Sequence, residues 1–494
     1  MAQGYASARQ TVEPRNERDA PRARATRLAH GLHISERRTL LGLLDAALLG
    51  LALLLALWSR TVIFAEMDGV GFYPLRAIWW LTLLVLWFPL ALVLDCYSLR
   101  LAASPVRSAL FAAGCAALVS AVYLVVPVIS APLTRSRLAW FLFAGAATLL
   151  VGTGRLAYAR LAGTARLSRR VLILGAGWAG RSMAKEIQDR GAWSGLRLVG
   201  FVDDDTRLRG TQIADLPVLG GGEDLERIVR ESGIQDLVVA ITRAGTMAPR
   251  LLQGLMECSN NGVDVVPMGV YYERLTGSVP AQHLGQDLFA LVDVPTGVGP
   301  RLWDMIRRVG DVVIGIAGLV ALLAIAPFIA LAIVLDGPGG VLYFQERVGM
   351  GGRPFTLAKF RTMVPDAEQN GAVWAVRHDT RITRVGRFLR SARLDELPQF
   401  WNLVNGTMTL IGPRPERPLF VDELSRSFPY YRIRHSVRPG LTGWAQVRFR
   451  YGNSMDDALE KLRYDLYYIK HRGPALDAVI LLYTLRVIAR MEGC

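Results

Sequence analysis

"DMIRRVGDVVIGIAGLVALLAIAPFIALAIVLDGPGG", residues 304–340, holds an apolar run from 312 to 335. A run of that length can cross the roughly 30 Å hydrocarbon core of a bilayer. Its flanks oppose a crossing. Arg301, Arg307 and Arg308 precede the run, while Arg347, Arg353, Lys359 and Arg361 follow it, so both ends carry the cations of a cytoplasmic flank. Pro327 removes a backbone donor inside the run and favours a kink. A crossing would also strand the C-terminal part of the chain outside, with no later span to return it. A kinked helix that dips into one leaflet and comes back satisfies all three facts. Residues 301–340 are therefore read as a re-entrant membrane helix hairpin, with an ordinary fifth span as the competing reading.

Upstream, four apolar stretches at about 40–59, 77–95, 109–131 and 138–158 approach the length of a transmembrane helix. Arg37 and Arg38, Arg100 and Arg107, and Arg160, Arg166, Arg169 and Arg170 mark three cytoplasmic sites between and around them. Residues 39–160 thus read as four transmembrane helices that begin and end on the cytoplasmic side of the membrane. Residues 1–38, polar and rich in Arg, read as a disordered cytoplasmic tail. With 52% hydrophobic residues and a net charge of +15 over 494 residues, the chain suits anionic lipid and phosphorylated substrates, and nucleic acid is not expected. Cys96, Cys115, Cys258 and Cys494 are scattered without disulfide or metal spacing, which favours a reducing compartment.

Residues 165–290 read as an α/β Rossmann-like domain. An apolar strand in "VLILGAGWAG" (171–180) runs into Gly175, Gly177 and Gly180, a helical pattern follows, and a second strand ends at Asp203. Glycines at that spacing allow a pyrophosphate to approach a helix N-terminus, and the acid can hold a ribose. Tight strand–helix packing explains the same glycines and is preferred here over bound NAD or another nucleotide. No Tyr-x-x-x-Lys pair follows, which argues against a redox site. A membrane-anchored NAD-dependent sugar-nucleotide oxidoreductase or epimerase is the alternative function.

Residues 341–494 read as a C-terminal α/β catalytic domain. Asp395 and Glu396 stand among Lys359, Arg361, Arg390, Arg393, Arg414 and Arg417. Guanidinium forks held in Pro- and Gly-bounded loops suit phosphate oxygens. Adjacent helical positions point about 100° apart, so the two acids divide their labour. One can attack phosphorus, and the other can hold Mg²⁺ or act as a base.

The motifs "KFRTM" (359–363), "RLDELPQFWN" (393–402), "LIGPRP" (410–415), "RPGLTGWAQV" (438–447) and "YDLYYIKHRGPALDAVILLYT" (464–484) resemble those of the bacterial sugar transferases, the polyprenyl-phosphate hexose-1-phosphate transferases. The N-terminal spans and Rossmann-like domain resemble the long form of that family. The resemblance implies that Asp395 attacks the sugar-bearing phosphorus of a UDP-sugar and expels UMP. Undecaprenyl phosphate would then displace the phosphosugar, the first step of exopolysaccharide, capsule or O-antigen synthesis. It also implies Glu396 as the Mg²⁺ partner, and Lys359, Arg361, Arg390, Arg414 and Arg438 as phosphate ligands. Asp477 matches a recurrent family acid of underived role. Ala326 stands where the family usually has serine before the proline, leaving the kink without a serine-assisted bend. "YDLYYIKHR" (464–472) could present Tyr and Lys to the membrane interface or pack internally. A homo-oligomer is compatible with this reading.

Overall fold

The computed structural model describes residues 34–63, 77–125, 137–162, 168–190, 195–241, 249–280, 298–365, 367, 379–449 and 454–489. Most of the expected N-terminal tail, residues 1–33, and Cys494 lie outside these. Four apolar helices open the described chain: Ile34–Ile63, Ala77–Val93, Pro105–Val125 and Arg137–Ala162. The first, third and fourth are long and apolar enough to cross a membrane. The second has 17 residues and ends earlier than the apolar run suggests, because Asp95 adopts a left-handed φ of +59° and turns the chain. Leu49, Leu53, Trp87, Val119, Tyr123, Phe143 and Val151 are fully buried in the bundle core.

Inside that core Arg155 donates to Asp45 through Nε at 3.0 Å and to the Cys96 carbonyl at 2.8 Å, and both charged side chains are wholly buried. This pair clamps the first and fourth helices onto the 94–98 turn. Removing one member leaves a buried charge unmatched. Arg155→Leu is expected to cost about 3–5 kcal/mol of stability in detergent unfolding. A loss below about 1 kcal/mol, the value of a hydrated pair, would show that water reaches it.

The next domain is a six-stranded sheet of β1 (Arg169–Leu174), β2 (Leu196–Val202), β3 (Gln212–Ile213), β4 (Leu216–Gly220), β5 (Asp236–Val239) and β6 (Asp264–Pro267). The order is β3-β4-β2-β1-β5-β6, and only the β3–β4 pair is antiparallel. Reversal of strand order at β1 is the pattern of a doubly wound sheet. β1 is buried on both faces, as a central parallel strand must be. Val171 and Ile173 pack with Met183, Ile187 and Tyr272, while Leu172 and Leu174 pack with Leu225, Ile228 and Leu255.

In place of the expected hairpin over 301–340, residues Val298–Asp336 form one continuous helix with no break at Pro327, and residues 337–340 follow its end. At ~1.5 Å per residue its 39 residues exceed the thickness of a hydrocarbon core. One face carries exposed Leu302, Val309, Val313, Val320, Leu323, Phe328, Leu331 and Leu335. The other face is fastened along its length to the C-terminal domain. Near the start, Arg307 donates to the Ile411 carbonyl, Arg308 to the carbonyls of Leu403 and Val404, and Asp311 accepts from the Leu410 amide. Near the end, Ile329 and Ile333 pack on Phe360 and Leu389, and Asp336 accepts from the Val385 amide at 2.9 Å.

That domain contains the antiparallel hairpin β7 (Leu342–Val348) and β8 (Pro354–Phe360), the parallel pair β9 (Thr409–Ile411) and β10 (Gly440–Thr442), and helices Arg384–Ser391, Phe400–Asn405, Pro418–Ser427, Met455–His471 and Pro474–Ala489. In Met455–His471, Leu462, Leu466, Tyr468 and Ile469 are nearly inaccessible, so the Tyr-rich segment is an internal packing helix and not an interfacial one. From the last helix, Tyr483 and Arg486 both reach Asp95, tying the C-terminus to the turn of the membrane bundle.

Candidate active site

The sequence "RLDELPQ" does not continue the helix before it. Arg393 takes a left-handed φ of +58°, uncommon for a side chain with a Cβ, and starts a tight 3₁₀ segment, Leu394–Gln399. Its 3.0 residues per turn separate neighbouring side chains by about 120°, so Asp395 and Glu396 diverge. Both are nonetheless more than 90% buried. They share the wall of a cavity of about 370 Å³ with Lys359, Arg390, Arg393 and Arg414.

Glu396 is enclosed by cations. Its Oε1 accepts from Lys359 Nζ at 3.2 Å and from Arg414 Nη2 at 2.7 Å, and Arg393 stands 3.7 Å from Oε2. Burial works against its ionisation, but Arg414, Lys359 and Arg393 outweigh that and hold its carboxyl far below the ordinary glutamate range. Burial raises the Asp395 carboxyl above its ordinary range, the Glu396 charge adds to the rise, and Lys359, Arg390 and Arg414 only reduce it. Two adjacent carboxyls are thus pushed in opposite directions. Glu396 stays charged and fixed, whereas Asp395 is a poorly solvated and more basic carboxylate.

This separation has a pH consequence. If Asp395 reacts as its anion, protonation on acidification ends the reaction, and a raised pKa starts that loss at a higher pH than an ordinary aspartate would. Arg390→Met removes a cation that lowers the pKa, so the acid limb of the pH–rate profile is expected to move further up. A limb that stays put or moves down would contradict the assignment.

The other expected ligands part company. Arg390 lines the cavity and donates to Thr362 Oγ1 at 2.8 Å. Arg361 also lines it, but its guanidinium donates to the carbonyls of Ile333, Gly337 and Pro338, closing the C-terminal end of the long helix. Its first task is therefore structural. Arg438 is not among the cavity-lining residues; it sits half-buried before β10, where its backbone packs on Gly412. Asp477 is also remote from the cavity: it accepts from Trp303 Nε1 at 2.9 Å and Tyr468 at 3.2 Å, and faces Arg307 at 3.4 Å. It anchors the start of the long helix.

Arg347, Arg381, Glu416 and Lys461 line the cavity and were not expected there from the sequence, and Arg417, already noted among the cations around the pair, lines it too. Arg347, donating to the Pro415 carbonyl, falls to about 10 chiefly through burial. Only the Gln-Glu-Arg at 345–347, polar residues in an otherwise apolar strand, hinted at this group.

Gly175, Gly177, Gly180 and Asp203 do converge, at the C-terminal end of β1. Gly180 packs so closely on the Gly175 carbonyl that a Cβ would overlap it, while Gly175 itself has φ +104°. Asp203 accepts the Ala176 amide at 2.6 Å and the Asp205 amide at 2.9 Å. Close packing and loop closure account for Gly175, Gly180 and Asp203, whereas a Cβ at Gly177 would meet nothing within 4 Å.

Among the described residues no group of three or more His, Cys, Asp or Glu could hold a metal unaided. Mg²⁺ commonly uses only one or two carboxylates and completes its shell with substrate phosphates. Glu396, through its less engaged Oε2, and Asp395 fit a site of that kind.

Residues 302–491 match the bacterial sugar transferase family model, and residues 93–268 match that of a CoA-binding domain. The chain is 42% identical over 206 residues to the UDP-glucose:undecaprenyl-phosphate glucose-1-phosphate transferase of Caulobacter vibrioides, covering 41% of this chain and 77% of that protein. The chain belongs to the bacterial sugar transferase family. This family member is also 46% identical over 129 residues to the Bacillus subtilis "putative undecaprenyl-phosphate N-acetylgalactosaminyl 1-phosphate transferase", covering 26% of this chain and 72% of that one. With the UDP-N-acetylgalactosamine-undecaprenyl-phosphate N-acetylgalactosaminephosphotransferase of Aeromonas hydrophila it shares 40% identity over 257 residues, 51% of this chain and 59% of that one. The sugar transferase thus spans about three-fifths of that curated relative's length. The family-model match, residues 302–491, contains the Asp395–Glu396 cavity.

Proposed function

We propose that this chain transfers a sugar 1-phosphate from a UDP-sugar to undecaprenyl phosphate. An Asp395 carboxylate oxygen attacks the sugar-bearing phosphorus, the bond to the bridging oxygen breaks, and UMP leaves with the electron pair. An oxygen of undecaprenyl phosphate then attacks the same phosphorus. The acyl–phosphate bond breaks, Asp395 returns as carboxylate, and undecaprenyl-diphosphate-sugar forms. The observation that carries this reading is the single buried, weakly acidic Asp395 beside a Glu396 pinned by Lys359 and Arg414. Lys359, Arg390 and Arg414 would stabilise the phosphoryl oxygens. Glu396 would hold Mg²⁺ with the donor diphosphate, and the ion would offset the charge of the leaving phosphate.

The acceptor phosphate sits at headgroup depth, and so must the cavity. Both ends of the long helix are fastened to one domain while its outer face is apolar. Such a helix would lie along one leaflet without crossing it, and the Arg distribution supports the cytoplasmic face of the inner membrane as that side. The product would begin an exopolysaccharide, capsule or O-antigen repeat. UMP release from a panel of UDP-glucose, UDP-galactose and UDP-N-acetylgalactosamine, each with undecaprenyl phosphate, tests the reading. Turnover of at least one donor is expected. Release of UDP in place of UMP would replace it with glycosyl transfer.

A further inference from the structure

The sheet domain does not end where the catalytic domain begins. After helix Met268–Thr276, Gly277 turns the chain with φ +69°, and its carbonyl accepts Trp444 Nε1 at 2.7 Å. Two residues on, Val279 is 1% exposed and lies in the core of the catalytic domain with Val348, Phe420, Leu424, Leu462 and Leu466. Its amide donates to the Arg463 carbonyl at 3.0 Å, and Arg463 Nε donates back to its carbonyl at 3.3 Å. Arg463 also lies over the Tyr272 ring at 5.2 Å. Next to Tyr272 in the same helix, the buried Glu273 divides its two oxygens between Lys470 Nζ at 3.0 Å and His471 Nε2 at 2.8 Å.

Both clamps close on the same helix, Met455–His471, at its middle and its last turn. Between and beside them that helix serves the cavity. Lys461 lines it. Asp465 accepts Arg434 Nη2 at 2.7 Å, and the same nitrogen donates to the Arg414 carbonyl at 2.9 Å. Arg414 in turn holds Glu396. A continuous set of polar contacts therefore runs from the sheet domain to the acidic pair.

We propose that Glu273 and the 277–280 strap are positioning residues of the active site: they fix helix Met455–His471 and, through Lys461 and the Asp465–Arg434 strut, set the affinity for the phosphorylated donor. This rests on the donor reading above. The sheet domain is then a working part of the catalytic cavity, whatever its glycine turn binds.

The test uses the full-length protein in detergent, with UMP release followed against UDP-sugar concentration. Glu273→Lys is expected to raise the donor KM about tenfold, with kcat within about twofold. The charge swap Glu273→Lys with Lys470→Glu is expected to restore most of that loss. In a Lys461→Met background Glu273→Lys should add little, because both act on one contact with the donor. An unchanged KM, a failed swap, or full additivity with Lys461→Met would overturn the proposal. Amide hydrogen exchange supplies a readout independent of turnover. Residues 455–471 should exchange faster in Glu273→Lys, or in the milder Glu273→Gln if the first does not fold, while residues 384–405 do not change. Equal protection of 455–471 in variant and parent would also overturn it. Absence of UMP release in the parent protein with every donor would remove the donor reading instead, and the exchange comparison would still decide the clamp.

Discussion

Asp395→Asn is expected to abolish UMP release, by at least about 10³-fold, even in a single turnover without lipid acceptor. The amide keeps the size of the carboxyl and can still accept a hydrogen bond, but it lacks the anionic oxygen that would bond to phosphorus. Among the described residues the cavity's other acids are both paired with cations, Glu416 with Arg347 at 3.8 Å and Arg434 at 4.0 Å. Glu396 is the only other acid of the pair, and Lys359, Arg393 and Arg414 hold it in a different direction with its basicity suppressed. The parent protein, quenched during turnover, should carry one phosphosugar on the peptide containing residues 394–399, detectable by mass spectrometry. Normal UMP release by the amide variant would transfer the nucleophile's role to another group or to the lipid phosphate itself.

The second large effect is expected far from any phosphate. Gly318, in the middle of the long helix, faces the Phe400 ring so closely that a Cβ there would stand 2.5 Å from it. Gly315, one turn earlier, would meet Val404 at 2.8 Å. These two glycines let the membrane helix lie against helix Phe400–Asn405, which begins directly after the 3₁₀ segment carrying the acidic pair. Gly318→Leu must therefore displace Phe400 or lift the helix. An overpacked core usually loses about 1–3 kcal/mol, and a displacement near 1 Å at the reacting groups can cost about 10²-fold in rate. A drop of that order in kcat, in protein that still folds and partitions into membranes, is the expected outcome. Parent-like kcat would mean that the anchor and the acidic pair are mechanically independent.

The residues that could be read from sequence were those whose chemistry is local. Asp395 and Glu396 are neighbours, Lys359 and Arg414 lie in short turn-bounded motifs, and all four meet around one cavity. Arg361, which lines the cavity, and Arg438, which does not, could not be told apart in the sequence, because a guanidinium in a loop looks the same whether it faces a phosphate or a backbone carbonyl. Only the end of the long helix reveals that Arg361 closes it. Asp477 had no readable role, since its partners Trp303 and Arg307 lie more than 160 positions away. Lys461 was hidden for a related reason: it sits in a helix whose periodicity announces packing, and which of its faces meets the cavity depends on what covers the others.

Composition and periodicity alone determined that the chain is membrane-bound, that a parallel sheet follows the spans, and that an acidic pair sits among cations. These are consequences of hydrophobic burial and charge, which act residue by residue along a chain. Only the tertiary structure decided that the long apolar helix is fastened at both ends to one domain, and that Val279 belongs to a core built from residues between Val348 and Leu466. It likewise decided that the two acids differ in basicity. Each depends on which distant groups share a low-dielectric space, and sequence order does not encode that distance.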